Sequence, residues 1–376
     1  MTVSRRALRA VAVLAGLGVV LAVAWLLLGT PEGDEPPDAT YRLVFAEFGL
    51  LADRVYVAAP DAPDERELVA SVPHARGWSI TPAPAMAGDL AAFVVLPPEA
   101  APRRDSPAEL WVLDVRSGEL TRLAGDADIM AAPVFDPEGA HLLYRRTRAD
   151  GSQELVRLEI AAQARRAIHG AVTDFGLYPV ALEADGAALY FELSVRGTEL
   201  YRVREGAEPE LIAHPSDHIA RDWRVAPDGA SVAYLAPQVS AERVVHRAWV
   251  VAVDADAEPR AASPAAPGAV LSEQFSPVWT PDGSGLTVGV EAFPDISAAA
   301  VTIGGDEPPA LPAPEQGFDV PLGWSPDGRY LAVRSFDGRD AAEPGRESFV
   351  VLSPAGDRLA VAAESELIHI GWLRDE

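Results

Sequence analysis

The stretch GWSPDGRYLAVRS, residues 323–335, decides the fold, because the chain writes it again and again. VWTPDGSGLTVGV stands at 278–290, RVAPDGASVAYLA at 224–236 and VFDPEGAHLLYRR at 134–146. VALEADGAALYFEL at 180–193 is a degenerate copy, and GWSITPAPAMAGDLAAFVVL at 77–96 keeps the tryptophan with a longer turn. The acidic turn positions Glu138, Asp185, Asp228, Asp282 and Asp327 recur at intervals of 47, 43, 54 and 45 residues. Recurrence on this scale marks a repeat architecture.

Local chemistry explains the motif. Ser325, Pro326, Asp327 and Gly328 suit the four positions of a type I turn: proline presets φ, serine and aspartate bond back to the backbone, and glycine tolerates the exit. Pro281, Asp282 and Gly283 do the same one unit earlier. The alternating run after each turn reads as a second strand, and the preceding aromatic (Trp223, Trp279, Trp324) closes the first and packs between sheets. ELWVLDVRSGELTRL, residues 109–123, then reads as strand, turn at Ser117-Gly118 and strand; 198–213 and 347–363 follow the same plan. Four antiparallel strands in about 45–50 residues make one β-propeller blade.

The ends of the chain set the blade count. HIGWLRDE, residues 369–376, places Trp372 before Asp375 as Trp324 stands before Asp327, but no second strand follows. PDATYRLVFAEF, residues 37–48, looks like that strand, with 54–60 and 66–72 as the third and fourth. An unpaired strand edge is a liability, so the two ends are expected to close one composite blade. Six more blades begin near Trp78, Phe135, Leu182, Trp223, Trp279 and Trp324. The expected fold is an all-β, seven-bladed propeller over 41–376, closed by its N- and C-terminal strands and preceded by one transmembrane helix.

The repeat resembles the TolB-type, WD-repeat-like β-propeller module, whose signature is W-S-P-D-G-x-x-L-A. The resemblance covers 38–376, most strongly 274–336, and implies the fold and a protein-binding scaffold of the cell envelope. TolB proteins carry an α/β domain ahead of the propeller, where this chain has a spacer. Similar repeats precede serine-peptidase domains, but no G-x-S-x-G elbow occurs here.

Ahead of the repeats, AVAVLAGLGVVLAVAWLLLG at 10–29 is free of charge and follows Arg5, Arg6 and Arg9. About 20 such residues span a bilayer core as a helix, and leading arginines hold their side in the cytoplasm. The expectation is a basic tail (1–9), a signal anchor (10–29), an acidic proline-rich linker (30–40) and an extracytoplasmic propeller. Cleavage after Ala22-Val23-Ala24, giving a secreted protein, is the alternative.

The 376 residues carry a formal charge of −25, with no cysteine and no lysine. This excludes thiolate chemistry and disulfides, argues against a nucleic-acid surface, and permits an acidic solvated surface, a basic partner or cation binding. No nucleotide or other cofactor motif occurs, and nothing fixes an oligomeric state.

In such a blade the first-to-second and third-to-fourth turns share one face, and the remaining loops and blade connections share the other. The loop-rich face is the expected binding face. Its connections hold His169, His214 and His218, and Asp128, Asp174, Asp222 and Asp319 stand just before inner strands, where they are expected to ring the channel mouth. His214-Pro-Ser-Asp-His218 has metal-ligand chemistry but no helical spacing to converge it, so no metal site is assigned. The sequence thus predicts a membrane-anchored scaffold that binds a protein or peptide through this face. The alternative is a metal-dependent lyase or hydrolase at the channel mouth.

Overall fold

The computed structural model describes residues 40–80, 85–239, 244–254, 256–263, 271–291, 297–305, 310–353, 355–363 and 365–375. The expected tail, anchor and nearly all of the linker lie outside them. Among the described residues no helix is long and apolar enough to cross a membrane. Tyr41–Asp375 forms one compact unit.

Its described residues form 27 strands in seven antiparallel sheets. The chain enters with β1 (Tyr41–Glu47), β2 (Ala52–Ala59) and β3 (Ala62–Pro73). Blade two comprises β4 (Ala85–Ala87), β5 (Leu90–Val95), β6 (Ala108–Asp114) and β7 (Leu120–Ala127). Blade three holds β8 (Val134–Phe135), β9 (His141–Thr147), β10 (Gln153–Glu159) and β11 (Ala164–Ala171). Blade four is β12 (Gly176–Leu182), β13 (Ala188–Ser194), β14 (Gly197–Val203) and β15 (Glu210–Ser216). Blade five is β16 (Arg221–Val225), β17 (Ser231–Val239), β18 (Val244–Ala252) and β19 (Arg260–Ala261). Blade six has three described strands, β20 (Gln274–Trp279), β21 (Gly285–Val290) and β22 (Val301–Gly304). Blade seven is β23 (Phe318–Trp324), β24 (Leu331–Phe336), β25 (Glu347–Leu352) and β26 (Arg358–Ala360).

The last strand, β27 (Leu367–Arg374), pairs antiparallel with β1 and becomes the inner strand of blade one. The register runs from Tyr41 opposite Arg374 to Glu47 opposite Leu367, with one bulge at Val44/Phe45. The expected closure is therefore present. An apolar cluster fills each of the seven interfaces; that between blades seven and one joins Leu43 and Phe45 to Ala332, Phe349 and Val351.

The turns follow the expected chemistry. In five blades the glycine N–H at the fourth turn position donates to the carbonyl of the first: Gly139 to Asp136, Gly186 to Glu183, Gly229 to Ala226, Gly283 to Thr280 and Gly328 to Ser325, at 2.8–3.1 Å. These glycines have φ of +70 to +83°, the left-handed region that β-carbon-bearing residues avoid. Trp372 Nε1 donates to Gly323 O (3.3 Å), Trp324 Nε1 to Thr287 Oγ1 (2.9 Å) and Trp279 Nε1 to Arg224 O (3.0 Å). Each of these indoles reaches back to the preceding blade, while Trp223 packs on Phe191 at 4.8 Å. Trp78 differs from expectation: it lies ahead of β4 and packs beside the cluster between blades two and three.

The second strands depart from simple alternation. In β5, LAAFVV, five successive residues are buried, and β24 starts with three. A second strand packs on neighbouring blades with both faces, so both must be apolar. The outermost β11, ARRAIHGA, has four exposed residues in a row.

Candidate functional site

The alternating strand directions separate two kinds of connection. The proline-glycine turns, the third-to-fourth turns and the junction of Arg374 with Tyr41 lie on one face. The second-to-third loops and blade connections lie on the other.

On the turn face the polar groups satisfy one another. The Asp282 carboxylate accepts from Thr280 Oγ1 (2.6 Å), Ser284 N (3.1 Å) and Ser284 Oγ (2.8 Å), and these bonds pull its pKa down to about 2. Asp327 accepts from Ser325 Oγ (2.6 Å) and Arg329 N (3.1 Å). Such aspartates are turn formers.

The loop-rich face is different. Of the twelve large apolar side chains that stand exposed among the described residues, nine lie on it: Leu50, Leu51, Met130, Val172, Phe175, Val195, Ile219, Val239 and Val244. The other three, Leu68, Leu211 and Val301, sit on β3, β15 and β22 at blade peripheries. None occupies a proline-glycine turn. Val172 is 80% exposed, Val195 78% and Phe175 53%, which is extreme for apolar side chains on ordered loops.

Six of the nine belong to one sector, from the connection after blade three to the loop within blade five, and hydrogen bonds tie much of this sector together. The Asp174 carboxylate accepts from Val195 N (3.2 Å), and Phe175 N donates to Leu193 O (3.1 Å). Thr198 Oγ1 donates to His218 O and accepts from Ala220 N, both at 2.8 Å. His214 lies on β15 rather than in a connection, and its Nε2 meets Asp217 Oδ1 at 3.0 Å. Asp222 takes φ +53° at an irregularity in the pairing of β16 and β17 and stays exposed. Arg221 and His246 converge on Glu273, at 3.4 and 2.8 Å. Asp174, His214, His218 and Asp222 thus share one sector with the apolar side chains.

Three expected residues do not join them. Asp319 is fully buried, its carboxylate gripped by Arg358 of β26 through two bonds of 2.8 and 2.9 Å. It lies inside the blade packing, not at the channel mouth, because a carboxylate excluded from water requires its cation. Asp128 is bonded to Thr147 Oγ1 (2.7 Å), Met130 N (2.8 Å) and buried Arg145 (3.0 Å). Arg145 in turn donates to Leu177 O and lies 4.4 Å over the Tyr178 ring, riveting blades three and four. His169 belongs to β11 rather than to a connection and stacks on Tyr190 at 5.3 Å; burial lowers its pKa. The expected acidic ring at the mouth is therefore broken at Asp128 and Asp319.

Among the described residues no three His, Asp or Glu side chains converge as metal ligands. Nothing in the sequence sets the exposed apolar residues apart as a group, although Phe175 within HGAVTDFGLY is visible as an aromatic in a connection.

No family model matches the chain, and neither does any curated protein. Similar solved structures do exist. TolB from Acinetobacter baumannii superposes with a TM-score of 0.50 at 13% identity, over 90% of this chain and 67% of that one. An oligogalacturonate lyase in complex with manganese gives 0.50 at 16% identity, over 86% and 84% of the two chains. An acylaminoacyl peptidase gives 0.54 at 10% identity, over 86% of this chain and 52% of the other. At such identities the likeness is one of fold, and the fold is the TolB-like seven-bladed β-propeller.

Proposed function

We propose that the protein is a membrane-anchored, extracytoplasmic scaffold that captures a protein or peptide partner on the loop-rich face of blades three to five. The observation that carries this reading is the one-sided distribution of exposed apolar side chains, centred on Val172, Phe175, Val195 and Ile219. Apolar anchors within a polar rim supply most of the energy of protein interfaces. Asp174, Asp217 and Asp222 stand exposed among them, and the chain carries −25 charges, so the complementary partner offers apolar anchors flanked by Arg or Lys. The apolar run at 10–29 supports the anchor. The chain enters the propeller at Tyr41 on the turn face.

A photo-crosslinking amino acid at Phe175 of the full chain, expressed in its native membrane, should trap one partner. The same group at Asp228, on the turn face, should trap none. Val195→Asp should abolish the Phe175 crosslink. Equal crosslinking from both faces, or a crosslink indifferent to Val195→Asp, refutes the reading. Resistance of the protein to alkaline extraction from membranes tests the anchor.

A further inference from the structure

A buried histidine in blade one has acceptors on both of its ring nitrogens. His74 follows the end of β3, at the start of the connection to blade two. Its Nε2 meets Asp53 Oδ1 at 3.0 Å, and its Nδ1 meets Ala75 O at 3.0 Å. Carbonyl and carboxylate oxygens only accept hydrogen bonds, and a neutral imidazole has a single N–H to give. Both contacts are satisfied together when the pair holds one proton more than a neutral imidazole beside a carboxylate.

Asp53, fully buried on β2, needs a cation for its own part. Its oxygens also accept from Gly49 N (3.1 Å) and Ile80 N (2.9 Å). With both oxygens taking backbone N–H groups, the acid is the ionised partner and the ring carries the charge. A carboxylate at this depth is costly without a countercharge, and His74 is its one ion-pair partner among the described residues. Around the imidazole, β2 supplies Asp53, and the loop between β1 and β2 supplies the uncharged Phe48 ring at 6.3 Å. Arg76 of the connection and Glu366, whose carbonyl accepts from Phe48 N, are both exposed.

The pair sits where two connections of the loop-rich face meet. His74 N donates to Leu51 O (3.0 Å) and Gly77 N to Leu50 O (2.9 Å), so the loop that displays exposed Leu50 and Leu51 is tied to the connection by backbone and side chain alike.

We propose that His74 and Asp53 form a proton-dependent clamp: the folded chain keeps the extra proton at neutral pH, and its loss releases the loop that displays Leu50 and Leu51. Without it the Nδ1 lone pair faces Ala75 O and Asp53 stays buried with no cation. The clamp lies in blade one and does not rest on partner capture by blades three to five.

The sign of the pH dependence follows. An unfolded imidazole, near 6.5, is mostly neutral at pH 7.5, whereas the folded pair keeps its proton. Unfolding then releases a proton, and stability falls as pH rises above about 6.5.

The test uses the full chain labelled with ¹⁵N at histidine. NMR at pH 7.5 should find both His74 ring nitrogens protonated. Between pH 7 and 8 the unfolding constant, from urea titrations, should rise roughly eightfold more in the wild type than in Asp53→Asn. In that variant the amide donates to Nε2 and Nδ1–H to Ala75 O, so a neutral ring fits. At the higher pH where the wild-type ring loses its second proton, amide protection of Gly49 and Ile80 against exchange should fall in the same step. A single protonated ring nitrogen at pH 7.5, equal pH dependence in the two proteins, or proton loss with both amides still protected would overturn the proposal. The NMR result on the wild type decides it if Asp53→Asn does not fold.

Discussion

The two faces of the ring are made from the same chain and the same seven repeats, yet they use their side chains in opposite ways. On the turn face the polar groups are absorbed locally: Asp282 takes three hydrogen bonds from residues within two positions of itself. On the loop-rich face Val172, Phe175 and Val195 remain open to water, although folding gains nothing from holding them there. A repeated turn that satisfies itself is structural. Irregular connections that keep apolar groups exposed are where selection for binding leaves a mark.

The largest effects should come from groups that look alike in sequence and differ in place. Asp319 and Asp222 both lie at the start of inner strands, but the first is sealed against Arg358 and the second is exposed. Asp319→Ala strands a guanidinium and should cost about 3–5 kcal/mol, whereas Asp222→Ala should stay within about 0.5 kcal/mol. Urea midpoints at neutral pH measure both. Equal losses would mean that the loop-rich face is as constrained as the interior, and the contrast would fail.

Acid comes next. His369 has its pKa lowered to about 4 by burial and by the Arg224 charge, so its neutral form belongs to the folded state. The unfolded imidazole, near 6.5, takes up protons first as pH falls. The stabilisation is complete above about pH 6.5 and is lost on the way down to about 4, amounting to about 3 kcal/mol. His369→Gln should remove that component: the difference between wild type and variant should shrink by this amount between pH 7 and 4. A difference that does not change with pH would place the imidazole in water rather than in the interior where its Nε2 is buried.

How far all this is legible in sequence depends on the range of the interaction. The turn is local chemistry within five residues, so Pro326, Asp327 and Gly328 announce it, and an unpartnered terminal strand implies closure with Tyr41. Non-local partners are invisible by the same logic. Nothing around Asp319 signals Arg358, 39 positions later, and nothing around Asp128 signals the burial of Arg145 beneath Tyr178. Asp174 and His218 are readable because blade connections must share a face, and His214 and Asp222 stand near the strand ends that flank one of them. Their apolar companions need the burial of every other apolar residue to stand out.

The smallest stability effects separate the faces most cleanly. Gly328 has φ +71°, and a β-carbon there would meet only Pro281 Cγ, at 3.9 Å, so Gly328→Ala faces backbone strain and no clash. It should cost about 1 kcal/mol and leave partner capture intact. Phe175→Asp removes an exposed ring and should change stability by less than about 0.5 kcal/mol. Its partner capture should nevertheless fall at least roughly tenfold, the loss expected for an interface anchor. Thermal melts and binding titrations on the same two proteins give a crossed outcome, with stability lost on one face and binding on the other. If Phe175→Asp unfolds the protein instead, the ring is part of the core and its exposure is not a sign of recognition. If Gly328→Ala weakens capture as strongly as Phe175→Asp does, the partner grips the turn face, and the self-satisfied turns are a binding surface after all.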